Sequence, residues 1–325
     1  MTADSPADAS QEAASGVVFG VSAFLIWGLS PIYWKLLGSV PAFEIILHRI
    51  LWSFVFLLPI LLFQGRLREL AAALKTPRTL LIFLGTSLLV ALNWFLYIWA
   101  VTHDRVLQAS LGYYINPLVN VLLGYLFLRE RLRHRQIAAV LLAGAGVLFL
   151  TFYHGVFPWV SLALAFSFGL YGLIRKVASA GALVGLTVET LLLGLPAAVL
   201  LVRMTLNGSG AFLNRAPFMD LTLMGAALVT ALPLLLFTRA ARRVTLATLG
   251  FLQYLAPTCM FLLGVLAYQE PFAPAHLLTF VAIWSALALY SADSITAYRR
   301  DARRKQKTAP GPEPPTPAAP SAKGG

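Results

Sequence analysis

The side chains best equipped for chemistry in this chain are few, and they stand at helical spacings. Glu44, His48 and Arg49 fall within one apolar stretch, and Glu189 stands in another. Glu44 and His48 are i,i+4 neighbours on one helix face. An imidazole titrates near neutral pH, so Glu44, His48 and Glu189 are the candidates for taking up a coupling proton. Arg49 and Glu189 are the candidates for holding a charged group of a ligand. Amides and phenols form the second set. Asn93 and Tyr97 share a helical face, as do Tyr113, Asn116 and Asn120, while Gln253 and Tyr254 precede Pro257. Aromatic rings beside amides suit a small amphipathic ligand, offering apolar faces with a few fixed hydrogen bonds.

The same inventory argues against catalysis. The sequence has no GxxxxGK[ST] phosphate loop, no HExxH zinc pair and no GxSxG nucleophile elbow. Its five histidines, at 48, 103, 134, 154 and 276, are scattered, and the single Cys259 excludes a disulfide framework or a cysteine-built metal site. Neither a metal nor a cofactor is expected. His103 and Asp104 are adjacent in a short loop and read as solvated. No ring of like charges suggests a channel.

What must position these residues is a membrane-spanning bundle. Apolar residues make up 59% of the 325, charged residues only 12%, and mean hydropathy is +0.78; soluble domains average about 25% charged. Apolar runs lie near 17–36, 41–63, 79–101, 106–128, 134–152, 157–175, 182–202, 218–238, 244–268 and 274–297. Each is close to the ~20 residues that cross a bilayer core of about 30 Å. The expectation is an all-α polytopic membrane protein of ten transmembrane helices. Residues 1–15 read as a disordered acidic leader. Residues 299–325, basic and then Pro-rich, read as a disordered tail.

Basic residues set the orientation. Lys35, Arg49, Arg105, Arg203 and Arg215 aside, every lysine and arginine falls in the tail or in the loops after the second, fourth, sixth and eighth segments. Both termini are therefore expected in the cytoplasm. The net charge of +12 is explained as a topology signal, without a nucleic-acid partner.

The chain also resembles itself. PLVNVLLGYLFLRE at 117–130 aligns without gaps to PTCMFLLGVLAYQE at 257–270, matching Pro117 with Pro257, Gly124 with Gly264 and Glu130 with Glu270. WGLSPIYWK at 27–35 echoes FGLYGLIRK at 168–176. Each repeat, 16–152 and 153–298, spans five helices. An odd number inverts the second copy, an arrangement that recurs in secondary transporters with a midplane site.

The segments WGLSPIYWK, NWFLYIWA, SLGYYINPL and TLGFLQYLAP resemble the RarD proteins, in the EamA-type branch of the drug/metabolite transporter superfamily. The resemblance covers roughly residues 16–297. It implies ten helices, a 5+5 inverted repeat, a bacterial inner-membrane location and export of small molecules. Chloramphenicol sensitivity is attached to the family name; the resemblance does not fix the substrate. The expected partners are a small-molecule substrate and membrane lipid. A lipid flippase on the same fold stays open, because a fold does not fix a substrate.

Arg49 and Glu189 lie at similar depths from opposite faces, roughly 10–12 Å in at 1.5 Å per residue. A pair across the cavity is the expectation for them, either as a permanent structural link or as a binding element. Asn and Gln can equally bridge helices. Trp27, Trp34, Trp52, Trp159 and Trp284 can serve as interfacial anchors or as lining. Glu130 and Glu270 read as helix-end features, the first beside arginines and the second free near Pro271. The first to fourth and sixth to ninth helices are expected to form the cavity. The fifth and tenth, poorest in polar residues, are left for the periphery and for a contact between two copies in a homodimer.

Overall fold

A computed structural model describes residues 6–129, 132–155, 157–177, 181–241, 243–244, 248–249 and 252–308. Regular structure among them is entirely helical. The helices are α1 (Pro6–Leu36), α2 (Ala42–Phe63), α3 (Leu67–Lys75), α4 (Pro77–Thr102), α5 (Val106–Leu128), α6 (His134–His154), α7 (Trp159–Val177), α8 (Ala182–Leu206), α9 (Pro217–Ala241), α10 (Leu255–Leu262) and α11 (Pro274–Thr308), with a π-helical turn, Leu263–Ala267, continuing α10. Proline opens α1, α4, α9 and α11, where its fixed φ suits the first turn and its missing N–H costs nothing.

Among the described residues eight helices are long and apolar enough to cross a membrane, and two shorter apolar ones, Trp159–Arg175 and Leu255–Ala267, stand at the sixth and ninth expected segments. The expected segment at 244–268 includes residues outside the described set. Other boundaries differ from expectation for local reasons. Helix α1 begins at Pro6 and α11 continues to Thr308, so helix reaches into both ends expected to be disordered. The Ala-rich start and the Ala-, Arg- and Lys-rich stretch before Pro310 are strong helix formers. The basic loop after α2 holds a further helix, α3, which buries Leu70 and Ala73 and leaves its polar residues outward.

The packing partners form a regular set. Helix α2 packs on α8, α5 on α10 and α6 on α11; α1 packs on α9 and α10, and α7 on α4 and α5. Close approach depends on glycine in two places. A Cβ on Gly28 would sit 2.7 Å from Cys259 Cβ and 2.9 Å from the Ala256 carbonyl oxygen, and one on Gly112 would sit 2.7 Å from the Ser161 oxygen. Helix α5 ends on a non-glycine residue of positive φ, Arg129 at 54°, and another, Gln269 at 51°, follows shortly after the π-helical turn.

Toward the end opposite the termini a buried apolar cluster includes Trp34, Leu37, Val40, Val101 and Val106. Polar ties reinforce it. Lys35 pairs with Asp104 and lies 4.0 Å from the Tyr268 ring centroid, and Arg215 donates to the Ser39 carbonyl at 3.1 Å. Asp104 is thus partnered, where the sequence reads it as merely solvated: the turn after α4 returns it beside the end of α1. Glu270 is likewise not free. Its carboxylate accepts from the amides of Val106 at 2.6 Å and Leu107 at 2.8 Å, capping α5 from the far half of the chain. Burial pushes its carboxyl up from the ordinary carboxylate range, against the downward pull of those two donors. Glu130, its counterpart, lies outside the described residues.

Candidate functional site: a cavity with a buried arginine

Within the bundle is a cavity of about 410 Å³, inside the range of roughly 300–1,000 Å³ typical of small-molecule sites. Its lining comes from α1, α2, α4, α5, α7, α8, α9 and α10, with no contribution from α6 or α11 among the described residues. The walls are chiefly aromatic and aliphatic: Phe24, Trp27 and Trp34 from α1, Val90, Trp94 and Tyr97 from α4, Tyr171 from α7, Leu234 and Phe237 from α9, and Met260 from α10. Arg49 and Arg175 are the charged residues among them.

Five expected site residues line this cavity: Arg49, Asn93, Tyr97, Tyr113 and Gln253. Asn93 is committed to packing; its amide donates to the Leu164 carbonyl and the Ser167 hydroxyl, each at 3.0 Å, tying α4 to α7. The Tyr97 hydroxyl meets Ser30 Oγ at 2.7 Å, and its ring stands edge-on to Tyr113 with centroids 5.7 Å apart. Arg49, on α2, is buried with only 7% of its surface exposed, and its guanidinium lies 4.1 Å from the Trp94 ring centroid and 5.1 Å from that of Trp34. Two aromatic faces thus hold the cation. Its Nε and Nη1 have no hydrogen-bond partner among the described residues.

The expected Arg49–Glu189 pair does not form. Glu189 instead lies 3.8 Å from Arg175 Nε and accepts from the Tyr171 hydroxyl at 3.1 Å. Helix α7 packs on α4 and α5 and carries Tyr171 and Arg175 one turn apart, so Glu189 is matched locally and sits behind the cavity wall. Arg175, read from sequence as a loop charge marking topology, is a wall residue with 14% side-chain exposure.

Other expected residues sit outside the lining. The Glu44 carboxylate accepts from the amides of Ala211 at 2.5 Å and Phe212 at 3.4 Å, holding the loop between α8 and α9. His48 accepts from Trp52 Nε1 at 3.2 Å, and its ring lies 4.9 Å from that of Phe212. Both are one helical face away from Arg49. Asn116 is half-buried with its Oδ1 unpartnered, and Asn120 is exposed, with its Oδ1 against Gly169 of α7. Tyr254 turns away to stack on Tyr114, centroids 6.4 Å apart. Tyr114, in turn, bonds the Thr258 hydroxyl at 2.6 Å. Among the described residues no group of three or more His, Cys, Asp or Glu could hold a metal ion.

Sequence reasoning missed Trp94, Tyr171, Arg175 and Ser30. One signal was present for two of them, since Tyr171 and Arg175 lie inside the FGLYGLIRK echo of the first helix.

The EamA-like transporter family matches residues 14–152. An uncharacterized transporter of Vibrio cholerae is 46% identical over 88% of this chain and 95% of its own length. The YojE uncharacterized transporter of Bacillus subtilis is 46% identical over 86% of this chain and 94% of its own. Protein RarD of Salmonella typhi is 45% identical over 88% and 97%. This chain belongs to the EamA-like transporter family. Within that family its similarity to RarD proteins spans most of its length, as the sequence segments implied. A protein of known crystal structure shares the fold, with a TM-score of 0.54 at 20% identity over 85% of this chain and 96% of that one. Family membership and the apolar helices together make this a multi-pass membrane protein of a transporter family, and the names of the family and the relatives point away from an enzyme.

Proposed function

We propose that this chain is a secondary transporter that moves a small organic solute out across the bacterial inner membrane by alternating access. In this reading, ten helices form two inverted five-helix repeats and both termini are cytoplasmic. The observation that carries it is the aromatic cavity lined from eight helices, with a buried, hydrogen-bond-deficient arginine in its wall.

Several features support the inverted repeat. Exchanging α1 with α7, α2 with α8, α4 with α9, α5 with α10 and α6 with α11 carries α1–α9 onto α4–α7, α1–α10 onto α5–α7 and α2–α9 onto α4–α8, although the smaller α2–α4 and α5–α6 contacts have no such counterpart among the described residues. The left-handed residues Arg129 and Gln269 occupy matched positions of the aligned segments. Arg49 and Glu189 stand at matched depths, each at the cavity or directly behind its wall. Two related halves around a central site are the machinery of rocking transporters. In this reading the buried cluster and the Lys35–Asp104 pair belong to the gate opposite the termini.

Reconstituted vesicles test the proposal. Labelled small organic solutes, including amino acids, aromatic acids and amphenicols, should exchange faster through loaded vesicles than through empty ones. Val229→Trp fills the cavity from α9 and should cut that flux at least tenfold while preserving the melting transition. Flux that ignores the plug would sink the cavity as the route.

A further inference from the structure

The Arg49 environment specifies more than a small solute. A buried guanidinium has five N–H donors and needs either a counter-ion or acceptors to offset its desolvation. Here Trp34 and Trp94 hold the cation from the sides, but neither supplies an acceptor. The buried acids of α2 and α8 are engaged elsewhere: Glu44 holds the amides of Ala211 and Phe212, and Glu189 lies with Arg175 and Tyr171. The cavity lining has no acidic residue among the described ones. With the Arg175 charge matched by Glu189, one positive charge is left facing an apolar chamber.

We propose that the transported solute is a small organic monoanion, a carboxylate on an apolar or aromatic body, whose carboxylate is clamped by Arg49 between Trp34 and Trp94. A planar fork of N–H donors matches a carboxylate in two parallel bonds. A single uncompensated cation matches a singly charged group better than a phosphate monoester dianion. The Phe24, Trp27 and Phe237 side of the cavity takes the apolar body. This assignment rests on the cavity being the transport site and narrows what fills it.

A carboxylate and its amide isostere separate charge recognition from shape. Purified protein is titrated with 3-phenylpropionate, 3-phenylpropionamide and 3-phenylpropylamine, following tryptophan fluorescence and the melting temperature. Benzoate and indole-3-acetate extend the carboxylate series. At least one carboxylate should bind roughly 10- to 100-fold more tightly than its amide, the range expected for a charge-assisted bidentate bond. Arg49→Gln should erase that preference and Arg49→Lys should retain part of it, each melting as a folded protein. The wild-type comparison of acid with amide stands even if a variant does not fold. Two results would overturn the assignment: amide or amine binding as tight as the acid and indifferent to Arg49→Gln, or no binding by any carboxylate to cooperatively melting wild type. Flux that Val229→Trp still blocks would then show that the cavity remains the route and that only the anionic assignment has failed.

Discussion

At the scale of single residues, the buried arginine and glutamate serve different ends. Arg49 has aromatic walls and donors without a partner among the described residues, whereas Glu189 is held by Tyr171 and Arg175. Glu189→Ala should therefore lower stability by about 1–3 kcal/mol, the penalty for stripping a buried charged acceptor from its donors. Glu189→Gln, which still accepts from Tyr171, should lose less. Thermal melting of the two variants in detergent checks the order. The charged and amide positions were legible in sequence because each is costly in an apolar run, which is how Arg49, Asn93, Tyr97, Tyr113 and Gln253 stood out. Trp94 and Tyr171 were not, since an aromatic residue in a membrane helix anchors, packs or lines a cavity with the same local spacing. Arg175 lay near a helix end, where a basic residue reads as a topology mark.

At the scale of elements, the chain uses long-range caps and close helix approaches that no local pattern reveals. Glu270 follows a π-helical turn and a residue of positive φ, and it caps α5 through the Val106 and Leu107 amides. Helix N-caps are worth about 0.5–2 kcal/mol, so Glu270→Ala should destabilise the protein by that amount. It should also speed amide exchange at Val106 and Leu107 in a hydrogen-exchange measurement, while exchange elsewhere stays slow. The α1–α10 contact leaves no space for a side chain at Gly28. Gly28→Val should cost about 1–3 kcal/mol as the helices are forced apart, whereas Gly144→Ala, with open space around it, should melt like wild type. Span positions were readable because lipid demands long apolar helices with their backbone bonds satisfied internally. The short amphipathic α3 was not: its charged face matches the loop composition around it, and only Leu70 and Ala73 distinguish its buried side.

At the scale of the whole molecule, helices from most of the chain surround one chamber, and a buried apolar cluster and the Lys35–Asp104 pair lie toward the end opposite the termini. The internal similarity was legible because the segments at 117–130 and 257–270 keep their spacing without gaps. The occupant of the chamber was not, because it depends on which acid each arginine meets in three dimensions. An exposed ion pair contributes only about 0–1 kcal/mol, so under the proposed mechanism Lys35–Asp104 is a contact that alternating access would break and remake. The most direct test of alternating access uses the single cysteine. With Cys259→Ser as background, Ser30→Cys places one thiol in the cavity wall. A membrane-impermeant thiol reagent is then applied to either face of oriented vesicles. Alternating access predicts labelling from both faces, at rates that a bound solute shifts in opposite directions. Labelling from one face alone, unchanged by any solute, would contradict it.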